Sequence, residues 1–148
     1  MPRIEDLLKA KAESSAPTVV SVRPDESTLV AAKRMNEHRI GSLVVLDDRS
    51  HLTGIISERD ILTRVVASER DATRTRVAEI MTRDVITCAP EDRLQDLRRI
   101  MRERRVRHVP VVRSGRVVGM VSIGDLNAAE AGVMSETIKY LEQYMTAL

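Results

Sequence analysis

Apolar and polar positions alternate in an order that occurs twice along this chain. In the first half, the β-branched run at residues 18–22 predicts a short buried strand, and a helix to about Arg39 follows it. Two apolar runs at residues 42–46 and 52–56 flank a polar turn, which predicts a hairpin. A second helix is expected directly after Ser57, a residue type that caps helices well.

The second half repeats this order of elements. The match keeps a constant shift until the hairpin, where the shift falls by one residue, as expected for a change of length in a surface turn. The matched segments are 19–24 with 85–90, 35–37 with 101–103, 42–46 with 108–112, and 54–60 with 119–125. Four matches in register indicate an internal duplication.

Each copy predicts a unit of strand, helix, strand, strand and helix, which is a mixed α+β arrangement. A unit of about sixty residues buries little surface by itself, so we expect the two units to pack through their sheets as a pseudo-two-fold pair. The predicted divisions are an N-terminal helix and lead-in at 1–17, repeat 1 at 18–66, a linker at 67–76, repeat 2 at 77–128 and an amphipathic C-terminal helix at 129–148.

Bulk composition narrows the class of protein. The 148 residues are 43 % apolar and 31 % charged, no apolar run approaches the ~20 residues of a membrane-spanning helix, and no signal peptide is expected. Cys88 is the only cysteine, which argues against disulfides or a thiolate metal cage and fits a reducing cytoplasm. Tyr140 and Tyr144 are the only aromatic residues, which disfavours a protein that stacks nucleic-acid bases.

One motif, Gly-h-h-Ser-x-x-Asp with h apolar, occurs in both copies, at residues 54–60 and 119–125. Its Ser is expected to cap the following helix, whose N-terminus favours an anion such as phosphate. The carboxylates of Asp60 and Asp125 lie one turn further, where each can accept hydrogen bonds from the two adjacent hydroxyl groups of a ribose. A plain helix cap with an acidic first turn gives the same local pattern, but the duplication favours a ligand site.

Taken together, these features resemble a known family, the tandem CBS-domain pair or Bateman module. The resemblance covers about residues 4–127 and rests on the element order, on residues 77–82 and 108–112, and on the two motifs. It implies a non-catalytic regulatory module that binds an adenosine-containing nucleotide, such as the AMP, ADP or ATP of an energy sensor, between two CBS repeats. The nucleotide would act as a regulatory ligand, and no cofactor is required.

The resemblance also implies roles for individual residues. The expected contacts are Asp60 and Asp125 for ribose; Ser57, Ser122, Arg107, His108 and, more weakly, Arg59 for phosphate; and Val20, Ile86, Val109 and Pro110 for adenine. Arg107 and His108 are equally compatible with solvated positions at a strand edge. Repeat 1 has Gly41 and Ser42 at the matching positions, without a basic group, so we expect the Asp125 site to take the more highly charged ligand.

Other candidates for chemistry are weaker. His38 and His51 have no second ligand at metal spacing, so no metal site is predicted. Cys88 is expected to be a small buried hydrophobic residue, because no His or Asp partner suggests a nucleophile. The sequence shows no Gly-rich phosphate loop and no paired catalytic carboxylates, and it therefore predicts a protein that is not an enzyme.

Two further surfaces suggest partners. The arginines between Arg98 and Arg107 form a basic run, for which nucleic-acid binding is an alternative to a solvated face. In the C-terminal helix, apolar residues recur at alternating steps of four and three, which predicts a stripe that docks on the protein itself or on a second subunit. The stripe consists of Met134, Ile138, Leu141, Met145 and Leu148.

We therefore expect a homodimer that binds an adenosine nucleotide, lies outside the membrane and regulates an unknown protein in trans. No attached catalytic or channel domain is expected. A ligand-independent dimeric scaffold is the main alternative function.

Overall fold

The computed structural model describes residues 2–13 and 19–147, without the side chains of residues 133 and 147. Its helices are α1 (Ile4–Glu13), α2 (Thr28–His38), α3 (Glu58–Ile61), which continues as a π-helical segment (Leu62–Val66), α4 (Val77–Ile80), α5 (Leu94–Arg104) and α6 (Ile123–Ala147). Its strands are β1 (Ser21–Val22), β2 (Ser42–Leu46), β3 (Leu52–Ser57), β4 (His108–Arg113) and β5 (Arg116–Ser122). The predicted α+β class with two repeats is confirmed.

Repeat 1 is built on a sheet with the order β1-β2-β3. β1 pairs with β2 in parallel after the α2 crossover, and β2 pairs with β3 as the predicted antiparallel hairpin. The side chains of Leu43, Val45 and Ile56 are fully buried beneath α2 and form the first core. The predicted first strand is shorter than expected, and its first residue, Thr18, lies outside the described residues.

Repeat 2 keeps the hairpin but almost loses its first strand. β4 and β5 are antiparallel and are joined by Ser114 and Gly115, whose φ angles of 51° and 77° are those of a type I′ turn. The run at residues 85–88, which matches the first strand of repeat 1, contributes only a parallel bridge from Cys88 to Val111. The strand expected in this run is therefore reduced to a bridge at one residue, Cys88.

The helix that precedes each repeat packs on the other repeat. Ile4 and Leu7 of α1 are buried in the second core, whereas Val77 and Ile80 of α4 are buried in the first. The predicted boundary at residue 77 therefore assigns α4 to repeat 2, although the buried side chains of α4 pack in the core of repeat 1. Each core therefore contains a helix that precedes the other repeat in the sequence.

The two motif glycines make room for these exchanged segments. A Cβ atom at Gly54 would lie 2.6 Å from Sδ of Met81 and 2.9 Å from the carbonyl oxygen of Thr82. A Cβ atom at Gly119 would lie 2.6 Å from Cδ2 of Leu8. Glycine at these positions therefore permits close packing between each hairpin and the segment donated from outside its repeat.

The second helix of repeat 2 and the C-terminal helix are one continuous helix, α6. The division expected between residues 128 and 129 therefore falls inside this helix. Leu126 near its start is buried, while the apolar stripe beyond it is exposed, from 50 % at Leu141 to 72 % at Met145. Within the described residues the stripe does not dock on the module itself, and Leu148, its last predicted member, lies outside those residues.

Candidate functional site

Asp60 takes part in a reciprocal cap at the start of α3. Oδ2 of Asp60 accepts hydrogen bonds from N–H of Ser57 at 2.9 Å and from Oγ of Ser57 at 3.0 Å, and N–H of Asp60 donates to Oγ of Ser57 at 3.2 Å. Oδ1 lies 4.0 Å from Nε of Arg64. The cap that competed with ligand binding in the sequence is therefore present, and it uses Oδ2, whereas Oδ1 takes no part in it.

Asp125 has the same cap with a different cation. Its Oδ2 accepts from N–H of Ser122 and from Nζ of Lys11, both at 2.9 Å, and its own N–H donates to Oγ of Ser122 at 3.1 Å. Burial acts to raise the pKa of Asp125, but the hydrogen bonds from Ser122 and Lys11 outweigh it and hold the pKa below its ordinary value. Asp125 is therefore ionised at neutral pH.

Each of the two acids lies on the wall of its own cleft, and both clefts contain residues of both repeats. The Asp125 cleft has a volume of about 340 Å³ and the Asp60 cleft about 240 Å³. The Asp125 cleft is lined by Lys11, Val19, Val20, His38, Arg39, Ile40, Gly41, Ser42, Val44, His108, Met120, Ser122 and Asp125. The Asp60 cleft is lined by Ile55, Ser57, Glu58, Arg59, Asp60, Thr82, Arg105, Val106, Arg107 and His108.

The expected grouping of basic residues is wrong. Arg107 lines the cleft of Asp60, not that of Asp125, and His108 lines both clefts. The reason is that the starts of β2 and β4 meet where the repeats face each other: a Cβ atom at Gly41 would lie 3.4 Å from Nε2 of His108. Each strand start therefore reaches across to the cleft of the other repeat.

His108 lies between the two helix starts. Burial lowers the pKa of His108 below its ordinary 6.5, while Glu58 and Asp125 act to raise it, and Arg107 and Lys11 act to lower it further. The imidazole is therefore neutral at pH 7. A neutral His108 offers a hydrogen bond to a phosphate and not a positive charge.

The residues expected to contact adenine are divided between wall and core. Val20 lines the Asp125 cleft, but Val109 and Pro110 are buried, and Ile86 packs against the second core. Apolar wall residues that the sequence did not suggest are Val19, Ile40, Val44 and Met120 in the Asp125 cleft, and Ile55 and Val106 in the Asp60 cleft. They are ordinary strand and turn residues, and nothing in their pattern marks them as wall residues.

The remaining candidates are scattered: His38 lines the Asp125 cleft, and Arg59 lines the Asp60 cleft as expected. Burial raises the pKa of the Cys88 thiol to about 12, and its Sγ lies 3.7 Å from the carbonyl oxygen of Pro110. In the basic run, Arg98 pairs with Glu130 at 2.9 Å and Arg99 approaches Asp96 at 3.6 Å. Across residues 2–13 and 19–147, no group of three or more His, Cys, Asp or Glu side chains is arranged to hold a metal.

Comparison with known proteins identifies the same two repeats in the sequence. The model of the CBS domain matches residues 15–67 and again residues 77–132. The CBS domain-containing protein CBSX3 of Arabidopsis thaliana, named as mitochondrial, is 34 % identical over 146 residues, which are 96 % of this chain and 71 % of the relative. In the described part of the chain no helix is both long and apolar enough to cross a membrane.

Two solved structures are close in fold. A putative signal-transduction protein with CBS domains from Burkholderia ambifaria superposes with a TM-score of 0.81 at 38 % identity, over 86 % of this chain and 93 % of that one. The CBS domain pair of protein MJ0100, solved in complex with 5′-methylthioadenosine and S-adenosyl-L-methionine, superposes with a TM-score of 0.77 at 28 % identity, over 89 % of this chain and 98 % of that one.

Proposed function

The chain belongs to the CBS-domain family, a non-catalytic family, and from that premise we propose that it is a regulatory sensor of adenosine-containing nucleotides. The observation that carries the proposal is the pair of capped carboxylates, Asp60 and Asp125, each on the wall of a cleft to which both repeats contribute. Each carboxylate retains acceptor capacity beyond its cap, as recognition of a ribose diol requires. The complex of the MJ0100 pair with two adenosine derivatives supports this class of ligand.

The proposed signal is a change in the arrangement of the two repeats. A nucleotide held by Asp60 touches walls that include Arg107 of repeat 2, and one held by Asp125 touches walls that include Gly41 of repeat 1. Such a ligand binds one relative arrangement of the repeats better than another and shifts their equilibrium. A partner protein then reads the altered surface, and AMP, ADP or ATP would make the module an energy sensor.

The first test is calorimetry on nucleotide-free protein with adenosine, AMP, ATP, NAD and S-adenosylmethionine. Asp60→Asn and Asp125→Asn keep an oxygen for the cap but remove the charge. Because a charged acceptor contributes about 1.5–3 kcal/mol, each variant should weaken binding at its own cleft about tenfold or more. Asp71→Asn is the matched control, since Asp71 is an exposed carboxylate that lines neither cleft and bonds to its near neighbours, Thr73 and Arg74.

The ligand-independent scaffold predicts a different result. In that case no adenosine compound binds the wild-type protein, and the two cleft variants lose only part of a cap, about 1 kcal/mol or less. Absence of heat and of any thermal shift with all five compounds would reject the sensor.

We also propose that a second copy of the chain covers the exposed stripe of α6. Ile138 is 54 % exposed and Leu141 is 50 % exposed on a segment that projects beyond the module, and a projecting helix of this length is marginal in water without a partner. Leu141→Asp should convert a dimer to a monomer in sedimentation equilibrium at micromolar concentration. Glu142→Gln, one residue off the stripe, should leave the mass unchanged, and a monomeric wild type would contradict the proposal.

A further inference from the structure

The Asp125 carboxylate forms an ion pair with a lysine that lies outside repeat 2. Nζ of Lys11, on the last turn of α1, donates to Oδ2 of Asp125 at 2.9 Å and to the carbonyl oxygen of Met120 at 2.7 Å. The side chains of Lys11 and Asp125 are only 27 % and 25 % exposed. A pair that is this sheltered is less screened by solvent than a surface pair.

Packing of α1 fixes the position of Lys11. Ile4 and Leu7 are buried in the second core, and Leu8 fills the space beside Gly119. Lys11 follows Leu7 by one helical turn, so it lies on the same face of α1 and points toward the cleft that Asp125 lines. The ammonium group is therefore placed by the fold of α1.

This ammonium group occupies an acceptor that a ribose needs. Oδ2 of Asp125 already accepts from Ser122 and from Lys11, so a diol that uses both carboxylate oxygens has to displace the lysine. A neutral nucleoside would leave the displaced ammonium without an anion in a partly buried cleft. A ligand with a phosphate group brings a replacement anion of its own.

We propose that Lys11 is a specificity-determining residue of the Asp125 cleft, which makes this cleft reject neutral nucleosides in favour of nucleotides that carry a phosphate. The inference rests on the proposed function of the cleft. It assigns to α1 a direct part in ligand choice, in addition to its part in the second core.

The cation beside Asp60 is placed differently: Arg64 belongs to the same repeat, its side chain is half exposed, and its Nε lies 4.0 Å from Oδ1 rather than bonding to Oδ2. Met81 beside Gly54 corresponds to Leu8 beside Gly119, and three residues further along each segment stand Asp84 and Lys11. The second hydrogen bond to Oδ2 of Asp60 comes from the hydroxyl of Ser57. Discrimination by a displaced lysine is therefore expected at Asp125 and not at Asp60.

The test compares the affinities of adenosine and AMP by calorimetry, in an Asp60→Asn background so that the Asp125 cleft dominates. Lys11→Met keeps most of the apolar stem of the side chain and removes its charge, and it should lower the preference for AMP over adenosine at least tenfold. Adenosine binding should tighten in this variant. Lys11→Arg should preserve the preference, and Lys9→Met, an exposed position on the same helix, is the control.

Two failures are distinguishable. Binding that persists with an unchanged AMP preference in Lys11→Met overturns the role of Lys11 and leaves the proposed function standing. Absence of binding of either compound to any variant, wild type included, overturns the proposed function and this inference with it. A carboxyl titration by NMR checks the pair without ligand: the pKa of Asp125 should rise in Lys11→Met, and an unchanged pKa would contradict the ion pair in solution.

Discussion

The Asp60 and Asp125 clefts share one motif and the side chain of His108, but most of their other wall residues differ. The walls of the Asp60 cleft include Arg105 and Arg107 of the opposite repeat, in a volume of about 240 Å³. The Asp125 cleft is larger, at about 340 Å³, and its wall includes Lys11 of α1, paired with the acid itself. Only the larger cleft reaches the volume of about 300 Å³ at which small-molecule sites begin.

This difference shows what duplication of a motif preserves. The cap and the acceptor are contained within seven residues, so both copies keep them. The walls come from the other repeat and from the exchanged helices, where Arg107 is matched by Gly41 and the two repeats have diverged. Two sites with the same ribose acceptor are therefore expected to select ligands of different charge and size.

The largest expected effect concerns Arg107. In an Asp125→Asn background, which leaves the Asp60 cleft to dominate, Arg107→Ala should weaken AMP binding by about tenfold or more, because a charged hydrogen bond to phosphate is lost. Adenosine binding should change little in the same calorimetric titration. Arg102→Ala removes an exposed arginine of α5 that lines neither cleft and serves as the control.

The reciprocal background turns this into a test of the crossed arrangement. In Asp60→Asn protein, Arg107→Ala should leave AMP binding at the Asp125 cleft unchanged. A loss at the Asp125 cleft instead would restore the grouping expected from the sequence and contradict the structure.

The next effect compares the motif glycines. Gly54→Ala should destabilise the protein by about 1–3 kcal/mol, since the new methyl group meets the backbone oxygen of Thr82, which is itself bonded to N–H of Ile55 at 2.9 Å. Gly119→Ala should have a smaller effect, because Leu8 can move the end of its side chain. Urea denaturation measures both; equal losses would indicate that the backbone contact is not what distinguishes the repeats.

Much of the fold follows from local signals in the sequence. Apolar runs and turn residues predicted both hairpins, and Ser57 correctly marked the start of α3. The exchange of α1 and α4 between cores could not be predicted, because Ile4 with Leu7 and Val77 with Ile80 are similar apolar pairs that could fill either core. Which pair fills which core depends on contacts between residues that are distant in the sequence.

In the site, too, the local features could be predicted from the sequence and those that depend on packing could not. Ser122 and Asp125 could be placed together because a cap is local to one helical turn. Which acid faces Arg107 depends on how the repeats pack, and the strand pattern contains no information on that. Lys11 gave no signal at all, since one lysine on a short charged helix is indistinguishable from a solvated one.

The smallest expected effect concerns His108, which the two clefts share. Its pKa is lower in the folded protein than the 6.5 of the unfolded chain, chiefly through burial, so the unfolded chain binds the proton more readily. Its contribution to stability is therefore complete above about pH 6.5 and is lost as the pH falls through the lower folded pKa. Protonation of carboxylates such as Asp125, whose pKa is held below 3.8, acts at lower pH and can be separated from it.

His108→Gln removes this titration and keeps a polar side chain of similar reach between Glu58 and Asp125. The free energy of unfolding of the wild type should decline between pH 7.5 and 5.5 more steeply than that of His108→Gln, as measured by urea denaturation at each pH. His51→Gln, at an exposed position that lines neither cleft, should retain the decline. A wild-type slope that survives in His108→Gln would mean that the imidazole is not buried between the two helix starts. His108 would then not form a wall that the two clefts share.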